Sequence, residues 1–135
     1  MPNLNDICSD IVGSVDYALA AAVIDQESGL LLGVANNVAY LNQSILDIVA
    51  ASAVEMFRGK SVMTVEKMIA ELRDVAPRHQ IQEIQMTTET TYHFMTVVPN
   101  KPDILAVLIA GKKINMGMGW ASLRSRLKEI AAACP

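Results

Sequence analysis

Apolar residues recur along this chain at two spacings, one helical and one alternating. Leu4, Ile7, Cys8, Ile11 and Val15 fall at intervals of three and four, which predicts an amphipathic helix over residues 3–15. Asn3 or Asn5 can cap its start. Residues 18–25 and 30–35 are short apolar runs joined by Gln26-Glu27-Ser28-Gly29, the pattern of a β-hairpin. Both runs are apolar on two faces, which predicts central strands covered on both sides. Residues 44–58 read as a second helix, with Ser44 and Asp47 as a capping box and Gly59 as its stop. Residues 62–76 read as a third, with Val62, Val65, Ile69, Leu72 and Ala76 on its buried face and Pro77 ending it. Residues 80–88 and 91–98 alternate as strands across a tight link at Glu89-Thr90. Pro99 to Asp103 is a turn signal, and Ile104 to Ala110 a buried strand. Residues 117–133 form the last helix, with Trp120, Leu123, Leu127, Ile130, Ala131 and Cys134 on one face. Five strands joined mostly as hairpins predict an α+β fold with a largely antiparallel sheet.

The second helix carries the most informative pattern. Leu46, Val49, Ala50, Ala53 and Phe57 make one apolar row, and Ile45, Ile48, Ser52 and Met56 make a second beside it. A surface helix needs only one apolar face. This helix therefore calls for two partners: its own sheet and a further surface, such as a second protein chain.

Composition narrows the class. A chain of 135 residues with 52% hydrophobic and 19% charged residues is expected to fold as a single domain over residues 1–135. Residues 1–57 contain seven acids and no Lys or Arg, whereas residues 58–135 hold all 11 basic residues against seven acids. No basic leader and no apolar run of about 20 residues is present, so a cytoplasmic protein without membrane insertion is expected. Cys8 and Cys134 then read as free thiols.

Motifs for chemistry are missing. His79 and His93 lack HExxH spacing, and there is no CxxC, so no metal site is expected. There is no GxSxG for a hydrolase, and no catalytic residue or cofactor site is assigned. Gly117-Met118-Gly119 lacks the third glycine of a dinucleotide loop and reads as a flexible turn into a helix. Asn42-Gln43-Ser44, a glycosylation sequon, reads as a helix entry. Basic residues at 112, 113, 124, 126 and 128 could form a patch. With 4% aromatics and a pI near 5.3, though, nucleic acid is not the expected partner. Eight methionines supply core filler and an adaptable interaction surface.

Taken in order, these segments resemble Roadblock/LC7 domains. The run Ala-Ala-Val-Ile-Asp-Gln-Glu-Ser-Gly-Leu at 21–30 resembles that family's first hairpin. The helix at 44–58, Ile84 to Thr88, Tyr92-His93-Phe94, the strand Leu105-Ala106-Val107-Leu108 and a final helix keep the family's order. The segment 60–78 is longer than the family's usual link. The resemblance implies a profilin-like sandwich, a five-stranded antiparallel sheet between helices. It also implies a homodimer, or a heterodimer with a paralogous Roadblock-like chain, built through the middle helix and third strand. On this sequence those are Ile45, Ile48, Val49, Ser52 and Met56 with Glu83, Gln85 and Thr87. An edge strand at 80–88 is an aggregation hazard unless paired, which agrees with that placement. The function implied is a non-enzymatic regulator or scaffold that binds a small Ras-like GTPase. Stimulated GTP hydrolysis would then use the GTPase's own groups. The alternatives are a small-ligand sensor of PAS/GAF-like architecture and, on fold analogy alone, an actin-binding profilin relative.

Overall fold

The computed structural model describes residues 2–135. In chain order its elements are α1 (Leu4–Ser14), β1 (Ala18–Asp25), β2 (Leu31–Asn36), α2 (Gln43–Arg58), α3 (Lys60–Arg73), β3 (Glu83–Thr87), β4 (Thr91–Val98), β5 (Lys101–Gly111), α4 (Met116–Arg124) and α5 (Leu127–Ala133). The five strands form one antiparallel sheet in the order β2-β1-β5-β4-β3. This is the α+β architecture the apolar pattern predicts.

Helices cover both faces of the sheet. On one face α1, α4 and α5 bury Ile7, Cys8, Ile11, Leu123 and Ile130 against Val23, Phe94 and Leu108. On the other, α2 buries Leu46, Ala50, Ala53 and Phe57 against Ala20, Ala22, Ile24, Val107 and Ile109. The alanines of β1 leave room for a helix on either side. Strands β1 and β5 sit between both layers, which is why their sequences are apolar on both faces.

The structure corrects several boundaries. β2 is an edge strand and only half-buried, not central. Asn42, not Ser44, caps α2, its side chain accepting the Ile45 N–H at 3.1 Å. Only Pro99-Asn100 turns between β4 and β5, with Asn100 at φ 63°, so β5 starts at Lys101 and takes in Pro102. The last helix breaks into α4 and α5 around Ser125-Arg126. Gly119 lies inside α4 rather than in a flexible turn. A Cβ there would stand 2.5 Å from the Phe94 ring, so the residue is bare because helix and strand touch. Two of the basic residues near the C-terminal end are engaged with acids within the chain. Arg124 pairs with Glu83, and Arg126 with Asp10 and Glu129.

The largest correction concerns the third helix. α3 buries Glu66 and Ala70, whereas Val65, Ile69 and Leu72, expected inside, are exposed, and Ala76 lies beyond the helix end. The apolar spacing predicted a helix correctly but its orientation wrongly. Glu66 is held by the Gln80 N–H at 2.6 Å and approached by His79 Nδ1 at 3.6 Å. That tie fastens the 74–82 connection to the inner face of α3 and turns the apolar stripe outward. Gly59 joins α2 to α3 in extended conformation, and a Cβ there would collide with the Glu55 carbonyl. No helix is long and apolar enough to cross a membrane among the described residues.

Candidate functional site

α2 covers only the β1–β5 part of its sheet face. Toward β4 and β3 the face stays open as a groove of 220 Å³. Ile45, Ile48, Val49, Ser52 and Met56 line it from the helix, and Met86, His93 and Met95 from the strands. All five helix residues expected at an interface therefore stand together on one wall. Ile48 is 64% exposed, unusual for an isoleucine on a well-packed domain.

The three expected strand residues are elsewhere. In the β3–β4 register Glu83, Gln85 and Thr87 stand opposite Thr96, Phe94 and Tyr92. Their side chains point to the α4 face, away from the groove. Glu83 there accepts from Arg124 Nη2 at 2.7 Å, and the Arg124 guanidinium holds its carboxyl below the usual range. Arg124 in turn lies 4.7 Å from the Trp120 ring centre. The residues that face the groove are Met86 and, beside it, Ile84, because they stand opposite His93 and Met95.

The backbone of Glu83, Gln85 and Thr87 has a different role. The Val97 N–H donates to the Gln82 carbonyl and the Thr88 N–H to the Thr91 carbonyl, each at 2.9 Å. Antiparallel bonding alternates, so Ile84 and Met86 bond to β4. The N–H and C=O groups of Glu83, Gln85 and Thr87 consequently face the open edge of the sheet. β3 is the last strand in the order, so it offers a template for another strand.

Sequence reasoning placed Met86 with Ile84 on the exposed edge strand but assigned neither Met86 nor His93 and Met95 to the groove. Their alternation with Gln85, Phe94 and Thr96 was visible, but not which set faced α2. His93 Nε2 lies 3.0 Å from the Thr91 hydroxyl, and burial lowers the pKa of the ring. A neutral imidazole suits a groove that is otherwise thioether and hydrocarbon with one serine. No other lining residue titrates in the physiological range.

Elsewhere the described residues hold no group of three His, Cys, Asp or Glu placed for a metal. A cavity of 60 Å³ lies among Gln26, Phe57, Arg58, His79 and Gln82, with room for about two waters. Gln26 Oε1 is buried without a partner, while its Nε2 donates to the Pro102 carbonyl.

No protein-family model and no curated protein matches the sequence. Solved structures do. The Roadblock/LC7 domain from Streptomyces avermitilis is similar with a TM-score of 0.67 at 16% identity, covering 97% of each chain. This chain has the Roadblock/LC7 fold. An MglB structure with a tetrameric arrangement is similar with a TM-score of 0.71 at 14% identity, over 94% of this chain and 84% of that one. MglC from Myxococcus xanthus is similar at 0.59 and 20% identity, over 95% and 96%. In this chain the groove lined by Met86 and the open β3 edge lie side by side.

Proposed function

We propose that this chain acts, over residues 1–135, as a Roadblock/LC7-like regulator or scaffold without chemistry of its own. It associates with itself or with a paralogous chain through the α2 groove and the β3 edge. The assembly then binds a small Ras-like GTPase. The observation that carries the self-association is the groove, where Ile45 and Ile48 stand exposed beside an unpaired strand edge. Burying such a surface is favourable at roughly 25 cal/mol per Å² of apolar area. The likeness to MglB in a tetrameric arrangement supports assembly as the working state. The GTPase partner rests on the resemblance to Roadblock/LC7 regulators, and its place of action is the cytoplasm.

Affinity capture on immobilised protein tests the partner. Small Ras-like GTPases loaded with a non-hydrolysable GTP analogue or with GDP are passed over it. Retention of one of them in a nucleotide-dependent manner is expected. Recovery of none in either state would remove the GTPase from the proposal and leave a scaffold.

A further inference from the structure

Between α3 and the connection that follows it lies a cleft of 670 Å³, within the size range of ligand sites, about 300–1,000 Å³. Two anchors hold the connection to the helix. The Val75 N–H donates to the Ala70 carbonyl at 3.0 Å, and the Gln80 N–H donates to the Glu66 carboxylate at 2.6 Å. Between those anchors the chain runs as a strap without helix or strand, and Ala76, ahead of Pro77, is restricted to extended backbone. The N–H groups of Ala76, Arg78 and His79 donate to no backbone carbonyl. The cleft shares no lining residue with the α2 groove.

The free charges that line this cleft are both positive. Arg73 reaches it from the last turn of α3 and Arg78 from the strap, and neither has an ion pair among the described residues. Glu66 is the one acid among the lining residues. It is buried and already engaged by the Gln80 N–H, with His79 Nδ1 at 3.6 Å. Lys67, Glu71 and Asp74 are exposed nearby in the sequence but do not line the cleft. A guanidinium takes a carboxylate through paired N–H···O bonds, which makes arginine clusters readers of acidic motifs. Beside the two arginines, Ile69 is 48% and Val75 52% exposed. A free inorganic anion satisfies the arginines but leaves this apolar surface in water. A peptide that alternates acidic and apolar side chains satisfies both, and the unpaired N–H groups of the strap can bond its backbone.

We propose that this cleft binds an extended acidic segment of another protein. Arg73 and Arg78 each take a carboxylate, and Ile69 and Val75 cover the apolar side chain between the two acids. The contact is separate from the α2 groove and the β3 edge, so the chain can hold this partner while the groove is occupied.

Isothermal titration calorimetry with a hexapeptide of alternating Glu and Leu, blocked at both ends, tests it. Binding is expected, and it is expected to weaken as salt is raised. The same peptide with Gln in place of Glu is expected to bind about tenfold more weakly, or worse, because each charge-assisted bond is lost. The same loss is expected for the Glu–Leu peptide on a chain carrying both Arg73→Gln and Arg78→Gln. Both side chains are exposed, so the double variant is expected to keep its circular dichroism spectrum. A Glu–Ser peptide is expected to bind less tightly than Glu–Leu. No binding of the Glu–Leu peptide, or equal binding by the double variant, overturns the proposal. Inorganic phosphate binding as tightly as the peptide, with the same dependence on the two arginines, makes this a small-anion site and overturns the peptide as occupant. None of these readouts depends on whether the chain is one copy or two.

Discussion

His93 shows how one residue reports on its surroundings. Burial lowers its pKa in the folded chain, so the unfolded chain binds a proton that the folded chain refuses. Stability is therefore full above the ordinary histidine value and falls as pH drops through about 6.5 toward the lower folded value. Urea midpoints measured from pH 7.5 to 5 are expected to decline, and His93→Gln to flatten part of that decline. Glu83 acts in the opposite sense. Arg124 lowers its pKa, so its contribution is present above the ordinary carboxylate range and is lost at more acid pH. The two cysteines differ by position. Cys8 is fully buried on the inner face of α1 and its thiol is pushed up to about 12, whereas Cys134 is half-buried near the C-terminus. Maleimide labelling of native protein at pH 7.5 is expected to modify Cys134 first and Cys8 only on unfolding. Equal rates would mean that α1 opens readily. Gly119 gives a sharper packing test. Alanine there must push the Phe94 ring aside, and overpacking of this kind costs about 1–3 kcal/mol. A thermal midpoint unchanged by Gly119→Ala would contradict the close approach of α4 to β4.

Among the elements, those buried on both faces were the most legible. β1 and β5 lie in the middle of the sheet, and their continuous apolar runs state that directly. α1 was equally plain, since Leu4, Ile7, Cys8 and Ile11 mark one stripe and all four are buried. α3 was not. Its stripe of Val65, Ile69 and Leu72 has helical spacing, but spacing does not say whether the covering surface belongs to the same chain. The buried position went instead to Glu66, whose carboxylate binds the Gln80 N–H, a tertiary contact that no periodicity signals. The groove was half legible for a similar reason. Ile45, Ile48, Val49, Ser52 and Met56 follow from the two apolar rows of α2. The strand side depended on which alternating set faced α2, and that is fixed by register. Helix ends offer a further check. Asn42 accepts the Ile45 N–H at the start of α2, so Asn42→Ala is expected to lower stability by about 1 kcal/mol in equilibrium unfolding. Ser44→Ala, at the position the sequence favoured as the cap, is expected to change little.

At the scale of the molecule, the sheet, the two helical layers and the strand order make a self-sufficient core. Much of the exposed apolar surface lies on α2 and α3, at Ile45, Ile48, Met63, Val65, Met68, Ile69 and Leu72. That distribution separates folding from assembly. Ser52 is exposed at the groove and Met56 lines it while resting partly on the core, so a charge at either is expected to oppose association, since a charge buried in an apolar contact is costly unless paired. The most direct test of this account is the solution mass by sedimentation equilibrium at micromolar concentration, for the unmutated chain and for Met56→Glu. The account predicts twice the chain mass of 14.6 kDa for the first and the chain mass for the second, with the same circular dichroism spectrum. A monomeric unmutated protein, or a Met56→Glu variant that stays dimeric, would contradict it.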